Sequence, residues 1–298
     1  MSGFRIDQPF LSQILKDIGE GKIQLPDFQR GWVWDDERIR SLIASVSQEF
    51  PIGSVLILNP TGTNVRFIPR LVKGVNSNRA NTEPDTFILD GQQRLTALYQ
   101  ALMLGTAVST KDTKGREVLR HYYFDMKVSI NNDTDREEAI LSCGDDHKIE
   151  IETPDGNTQK IDLSSNEEQY AYNMFPVNKL LDDADWRQEY GQHWRDDREK
   201  INLLFEFEGN IIRPFNQYSI PVIELRGVPR EAICKVFEKV NTGGVTLTVF
   251  ELLTASLAAE DFQLREDWEI REERLKEHSV LQNILYYRIL RMSIFYRY

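Results

Sequence analysis

Apolar positions recur at three- and four-residue intervals along several stretches of the chain and alternate with polar ones along others. Phe10, Leu11, Ile14, Leu15 and Ile18 lie at helical spacing, which stacks them on one face. This spacing predicts a first helix opened by Asp7-Gln8-Pro9, with proline at the first helical position, and ended by Gly19 and Gly21. Ile39, Leu42, Ile43 and Val46 repeat the pattern behind Asp35 or Asp36, either of which supplies an N-cap. Ser54 to Leu58 is a short β-branched and apolar run closed by Asn59-Pro60-Thr61-Gly62, the pattern of a strand. Phe87-Ile88-Leu89 reads as another strand that runs into Asp90-Gly91. Leu95, Leu98, Tyr99 and Leu102 then return to helical spacing. A strand, a tight acidic-glycine turn and a helix therefore follow one another, with Gln92, Gln93 and Arg94 in the first helical turn.

Residues 74–86 read as a polar loop, and His121 to Val128 as a further strand. Residues 131–170 read as an insertion. Within it, Lys148 to Glu152 and Gln159 to Leu163 alternate on either side of Pro154-Asp155-Gly156-Asn157, which predicts a hairpin expected to be a solvated decoration. Residues 171–217 are mixed and mostly helical, and Ser219 to Leu225 is a strand. A helix from Pro229 is expected to stop at Asn241-Thr242-Gly243-Gly244, and Thr248 to Glu251 fits a capping box. Leu281 to Tyr298 is apolar on more than one face, the mark of a helix that needs a partner. Packing back on the helical half, belonging to a longer protein and forming a homodimer all satisfy it. The fold class is α+β: residues 1–226 form a mixed sheet with helices, and 227–298 form a helical region.

The chain has 298 residues with 36 Lys and Arg against 47 Asp and Glu, a net charge of −11. The excess acid falls in the second half, and the first 130 residues are close to balanced. Nucleic-acid affinity rests largely on phosphate neutralisation, so any DNA contact is expected on the first half. Cys143 and Cys234 have no spacing pattern, and the histidines His121, His147, His193 and His278 are scattered, so neither a disulfide framework nor a zinc site is indicated. No apolar run approaches a membrane span and the N-terminus lacks a signal-peptide apolar core, so a cytoplasmic protein without membrane contact is expected.

Three constellations carry candidate chemistry. In the first, Asp90, Gly91, Gln92, Gln93 and Arg94 gather a carboxylate, two amides and a guanidinium at a helix start. Unpaired backbone N–H groups and the positive end of the dipole make such a start a seat for phosphate. The bland alternative is that Asp90 merely caps the helix. In the second, Gln29 and Arg30 precede Trp32 and Trp34, alternate tryptophans that share a face. They are either core residues or an aromatic and guanidinium surface for a base. In the third, Asn241, Thr242 and Gly243 are either a helix C-cap or a loop that closes over a ligand.

Taken together, Leu25 to Trp34, Ile88 to Leu98 and Phe237 to Leu247 resemble the GmrSD-type N-terminal domain family, whose signature is DGQQR. The blocks come in the family's order. The resemblance implies a ParB/sulfiredoxin-like small mixed sheet with flanking helices. It also implies a role in bacterial defence against phage, alongside modification-dependent restriction enzymes and the SspE partner of phosphorothioate systems. In those systems the domain is tied to nucleoside triphosphate hydrolysis and DNA sensing, and an HNH nuclease domain usually follows. No His-Asn-His arrangement occurs after residue 255, so the nuclease is expected in another domain or a partner protein.

The resemblance points to a nucleoside triphosphatase, with Mg²⁺ as cofactor and the nucleotide as substrate. Asp90, Gln92, Gln93 and Arg94 are the catalytic candidates, and Asp90 the metal ligand. Gln29, Arg30, Gly91, Arg94, Asn241, Thr242 and Gly243 are the nucleotide-binding candidates. No Walker A sequence is present. The alternatives are a modified-DNA recognition module using Trp32, Trp34, Arg66 and Arg70, and a nicking nuclease centred on Asp90 and Arg94.

Overall fold

The computed structural model describes residues 3–27, 29, 31, 32, 34–61, 67–152, 156–229, 233 and 236. In chain order the first elements are β1 (Gly3–Asp7), α1 (Leu11–Gly19), β2 (Ile23–Pro26), α2 (Asp36–Ser47), β3 (Val55–Asn59), β4 (Pro69–Arg70), β5 (Thr86–Asp90) and α3 (Gln92–Met103). The middle comprises β6 (Val108–Lys111), β7 (Glu117–Asp125), α4 (Met126–Ser129), β8 (Ile140–Cys143), β9 (Lys148–Glu152) and β10 (Thr158–Asp162). Then come α5 (Asn166–Tyr172), β11 (Met174–Pro176), α6 (Ala184–His193), α7 (Arg198–Phe207), α8 (Arg213–Gln217) and β12 (Val222–Arg226).

The main sheet has six strands in the order β1-β12-β3-β5-β2-β4. It is mixed: β12 runs parallel to β3 and β5 parallel to β2, while the other pairs are antiparallel. Helices and sheets combine without a repeated βαβ unit, and the fold class is α+β. One sheet face lies under α1 and α3. There α1 buries Leu11, Ile14, Leu15 and Ile18, the stripe its spacing predicts. Each such side chain is worth ~1.5–3 kcal/mol against leaving it in water. The other face carries a smaller cluster of Leu56, Leu58, Phe87, Leu89 and Leu225.

A second sheet is built on β7, whose first half pairs with β6 and whose second half pairs with β8 and β11. Behind it α6 and α7 bring Trp186, Tyr190 and Phe207 against Phe124 and Phe175. A π-helical turn, Glu208–Ile212, joins α7 to α8.

Three expectations need correction. Pro9 does not start α1. The helix begins at Leu11 behind an extended Phe10, Asp7 pairs with Val222 in the β1–β12 ladder, and the Pro9 carbonyl accepts from Ile220 N at 3.1 Å. A sheet partner at the far end of the chain thus takes the segment that local spacing assigned to a helix. The strand through Val128 ends instead at Asp125, whose carboxylate accepts from Lys127 N and Val128 N and caps α4. Of the two cap candidates for α2, Asp35 is the one that serves, accepting from Arg38 N at 2.9 Å. The β9–β10 hairpin forms in the expected register, but it is no solvated decoration: Ile149, Ile161 and Leu163 bury against Tyr123, Cys143 and Met174.

Among the described residues, no helix is long and apolar enough to cross a membrane. The stop at Asn241 to Gly244, the capping box at Thr248 to Glu251, the apolar run Leu281 to Tyr298 and almost all of the expected helical region 227–298 lie outside the described residues.

Candidate functional site

The Asp90–Arg94 turn sits where β5 leaves the sheet beside β3. Gly91 is the N-cap of α3 in a left-handed conformation, φ 91° and ψ 4°. Only glycine takes that conformation without cost. A Cβ at Gly91 would also meet Val55 Cγ2 at 3.0 Å. No side chain caps α3, so the bland alternative, Asp90 as a helix cap, is not realised. Asp90 instead accepts from Arg94 Nη2 at 3.1 Å, one turn along.

Arg94 is held from three sides. Nη1 donates to the Ile52 carbonyl at 2.5 Å, and Nη2 donates to the Ser54 carbonyl at 2.9 Å as well as to Asp90. The chain from Ile52 to Ser54 thus forms a strap along the guanidinium. Gly53, at φ 88°, makes this possible, because a Cβ there would lie 2.6 Å from Arg94 Nη1. Guanidinium has five N–H donors. Three are used in these bonds, which leaves Nε and one Nη1 hydrogen. The side chains of Arg94 and Asp90 remain 20% and 31% exposed, so both reach solvent.

The glutamines act as fasteners. Gln29, 4% exposed, donates through Nε2 to the carbonyls of Ile88 at 2.5 Å and Leu89 at 3.1 Å. Gln93, 7% exposed, donates to the Gly31 carbonyl at 3.0 Å. These bonds stitch the segment after β2 onto β5 and α3. Gln92 is buried beside them. Arg70 Nη2 donates to the Gln29 carbonyl at 3.0 Å, supporting the same loop from β4.

Trp32 and Trp34 lie with ring centroids 6.4 Å apart, half-buried against the core. Trp32 Nε1 donates to the Ser109 carbonyl at 2.6 Å, and Thr110 Oγ1 donates to the Trp34 carbonyl at 2.8 Å. The segment is thereby laid along β6.

The structure therefore brings Gln29, Asp90, Gly91, Gln92, Gln93 and Arg94 together, with Arg70 at the edge and the two tryptophans one step away on β6. Arg30, Arg66, Asn241, Thr242 and Gly243 lie outside the described residues. Sequence reasoning missed the Ile52–Ser54 strap. It acts through backbone carbonyls, and its only trace in the sequence is Gly53 ahead of a strand. Among the described residues, no three His, Cys, Asp or Glu side chains group as metal ligands.

The fold is thus a mixed α+β domain whose glycine-opened strand–helix turn holds a carboxylate and a guanidinium together. The model of the GmrSD restriction endonuclease N-terminal domain matches residues 11–258, and the chain belongs to that family. Membership places it among the domains of restriction systems. The uncharacterized protein MJ0686 of Methanocaldococcus jannaschii is 26% identical to it over 268 residues, 88% of this chain and 43% of the relative. The chain thus spans less than half the length of that relative.

Proposed function

We propose that this domain binds a nucleoside triphosphate at the Asp90–Arg94 turn and hydrolyses it, and that the cycle gates a nuclease held in another domain or partner of a bacterial defence system. The observation that carries the reading is the convergence of an uncapped helix start, a left-handed Gly91 and a solvent-reaching Arg94.

The donors of α3 and the two remaining hydrogens of Arg94 face the same task, holding phosphate oxygens. Each bidentate edge of a guanidinium includes Nη2, whose two hydrogens are committed to Ser54 and Asp90. A two-point grip on phosphate therefore requires Arg94 to release one of them. Release of Ser54 frees the strap, and release of Asp90 frees a carboxylate to orient water. Binding is in this way coupled to movement beside the site. Gln29 and Gln93 position the turn through their backbone bonds.

One carboxylate fits Mg²⁺ only as an ion brought with the nucleotide, which takes most of its ligands from phosphates and water. Asp90 is the residue that would hold it, and the metal would neutralise charge on the transferring phosphate.

The other two readings draw less support. Trp32 and Arg70 spend hydrogen-bond donors inside the fold, which weakens a DNA surface made of them. A lone carboxylate is thin for metal-assisted nicking. Phosphate release from ATP, GTP, CTP and UTP tests the proposal, using wild type, Asp90→Asn and Arg94→Lys. Turnover of at least one nucleotide, falling about 100-fold in each variant, is the expected result given what one electrostatic contact contributes to a transition state. No turnover by wild type with any of the four would defeat it.

A further inference from the structure

We infer that the cavity between α1 and the main sheet is the nucleoside half of the site, taking the sugar and base of a nucleotide whose phosphates lie at the Asp90–Arg94 turn. This inference rests on the nucleotide reading above and deepens it.

The cavity measures about 360 Å³, within the range of small-molecule sites. Its floor is apolar, with Ile14 from α1, Ile23 from β2, Ile57 from β3 and Leu95 from α3. Four carboxylates stand around the floor, Asp7, Asp17, Asp85 and Glu224, against the single ammonium of Lys22. Two more facts tie the cavity to the turn. Val55 and Leu95 line it, and their chain neighbours Ser54 and Arg94 are hydrogen-bonded to each other at 2.9 Å. Val55 is also the side chain against which Gly91 packs. The wall of the cavity thus includes the chain neighbours of both partners in the Arg94–Ser54 bond.

The chemistry of the two ends divides a nucleotide between them. Ionised carboxylates accept hydrogen bonds and donate none. They repel phosphate, so a triphosphate belongs at the Arg94 end. What they hold is a neutral group rich in donors. Sugar hydroxyls and the amino edge of a base are such donors, and the flat face of a base matches the apolar floor. Asp17 and Glu224 are the more buried carboxylates, with side chains 26% and 11% exposed, while Asp7 and Asp85 are exposed at the rim. Glu224 already accepts from Asn59 Nδ2 at 3.1 Å and pairs with Arg226 at 2.7 Å, and the second lone pairs of its oxygens are what a ligand donor would use. Gln13 stands at the mouth and donates to Asp17 at 3.0 Å.

The test titrates the full chain by NMR with three probes: guanosine and adenosine, tripolyphosphate, and the matching nucleoside triphosphates. The proteins are wild type, Asp17→Asn, Glu224→Gln, Arg94→Lys and Gln13→Trp, the last a surface change that blocks the mouth. Thermal midpoints establish that each variant is folded. The expected result is nucleoside binding by wild type that weakens at least tenfold in Asp17→Asn, Glu224→Gln and Gln13→Trp, with tripolyphosphate binding unchanged in those three. Nucleoside binding that is absent from wild type, or as tight as wild type in all three variants, overturns the cavity assignment whatever tripolyphosphate does. Tripolyphosphate binding that is absent from wild type, or unchanged in Arg94→Lys, overturns the phosphate seat instead.

Discussion

Gly53 is the residue on which the geometry of Arg94 most depends. Its φ of 88° and the 2.6 Å approach that a Cβ would make to Arg94 Nη1 oppose any side chain there. Gly53→Ala is expected to cost ~1–3 kcal/mol through strain alone, read from urea denaturation. It should also lower nucleotide turnover by displacing the guanidinium, whereas Gly3→Ala, in open space, should change neither. Gln29 makes a second prediction at this scale. Gln29→Leu leaves the carbonyls of Ile88 and Leu89 without their buried donor, and ~1–3 kcal/mol of destabilisation is the expected result. A loss below a few tenths of a kcal/mol would show that the fastening is unimportant. These residues also mark what could be read in the chain. Gly91 and Arg94 stand out in any reading, because glycine and guanidinium at a strand–helix turn have few other uses. Gln29 and Gln93 read as ligand contacts, and in the fold their amide nitrogens donate to backbone carbonyls. Side-chain type alone does not separate those uses. The alternative of Asp90 as a cap fails because the cap position falls one residue later, on Gly91.

Among the elements, α1, α2, α3, β3, β5, β12 and the β9–β10 hairpin are legible from periodicity and turn chemistry, since their apolar faces are continuous and their ends are punctuated. The strands β1, β4, β6, β8 and β11 are not. They are short, and what makes them strands is pairing with remote segments, as Gly3–Asp7 pairs with Val222–Arg226. The β9–β10 hairpin carries a pH prediction. His121 and His147 stack with ring centroids 3.9 Å apart where the hairpin meets β7 and β8. His147 shares a hydrogen bond with Tyr123 Oη at 2.7 Å, and His121 Nε2 lies 3.5 Å from Asp145. Burial, and then the neighbouring His147, hold the His121 imidazole below its ordinary value of 6.5, with Asp145 opposing. The unfolded chain therefore takes up this proton at a higher pH than the folded chain does. Stability is full above pH 6.5 and falls as pH drops from there towards the lowered folded value. Thermal midpoints of wild type should decline across that window, and those of His121→Asn should decline less. Parallel curves would refute the assignment.

At the scale of the whole molecule, one mixed sheet organises the domain. Its α1 and α3 face carries the cavity, and its β5 end carries the Asp90–Arg94 turn, so the nucleotide pose proposed above would lie along the sheet. The segment containing Gln29 and Gly31 and the strap from Ile52 to Ser54 both converge on that turn. Of the two, only the strap is bonded to Arg94 itself among the described residues, so a change of grip by Arg94 acts on the strap first. Nucleotide binding is expected to alter amide hydrogen exchange at residues 51–55 and leave the β9–β10 hairpin unchanged; equal effects on both would argue against a local strap. The central claim is that the turn is a phosphate seat. It is tested most directly by calorimetric titration of a non-hydrolysable nucleoside triphosphate into wild type and Arg94→Lys at matched fold stability. The expected result is binding by wild type that weakens at least tenfold in the variant, about 1.4 kcal/mol. Equal binding by the two proteins, or none by wild type, would contradict it.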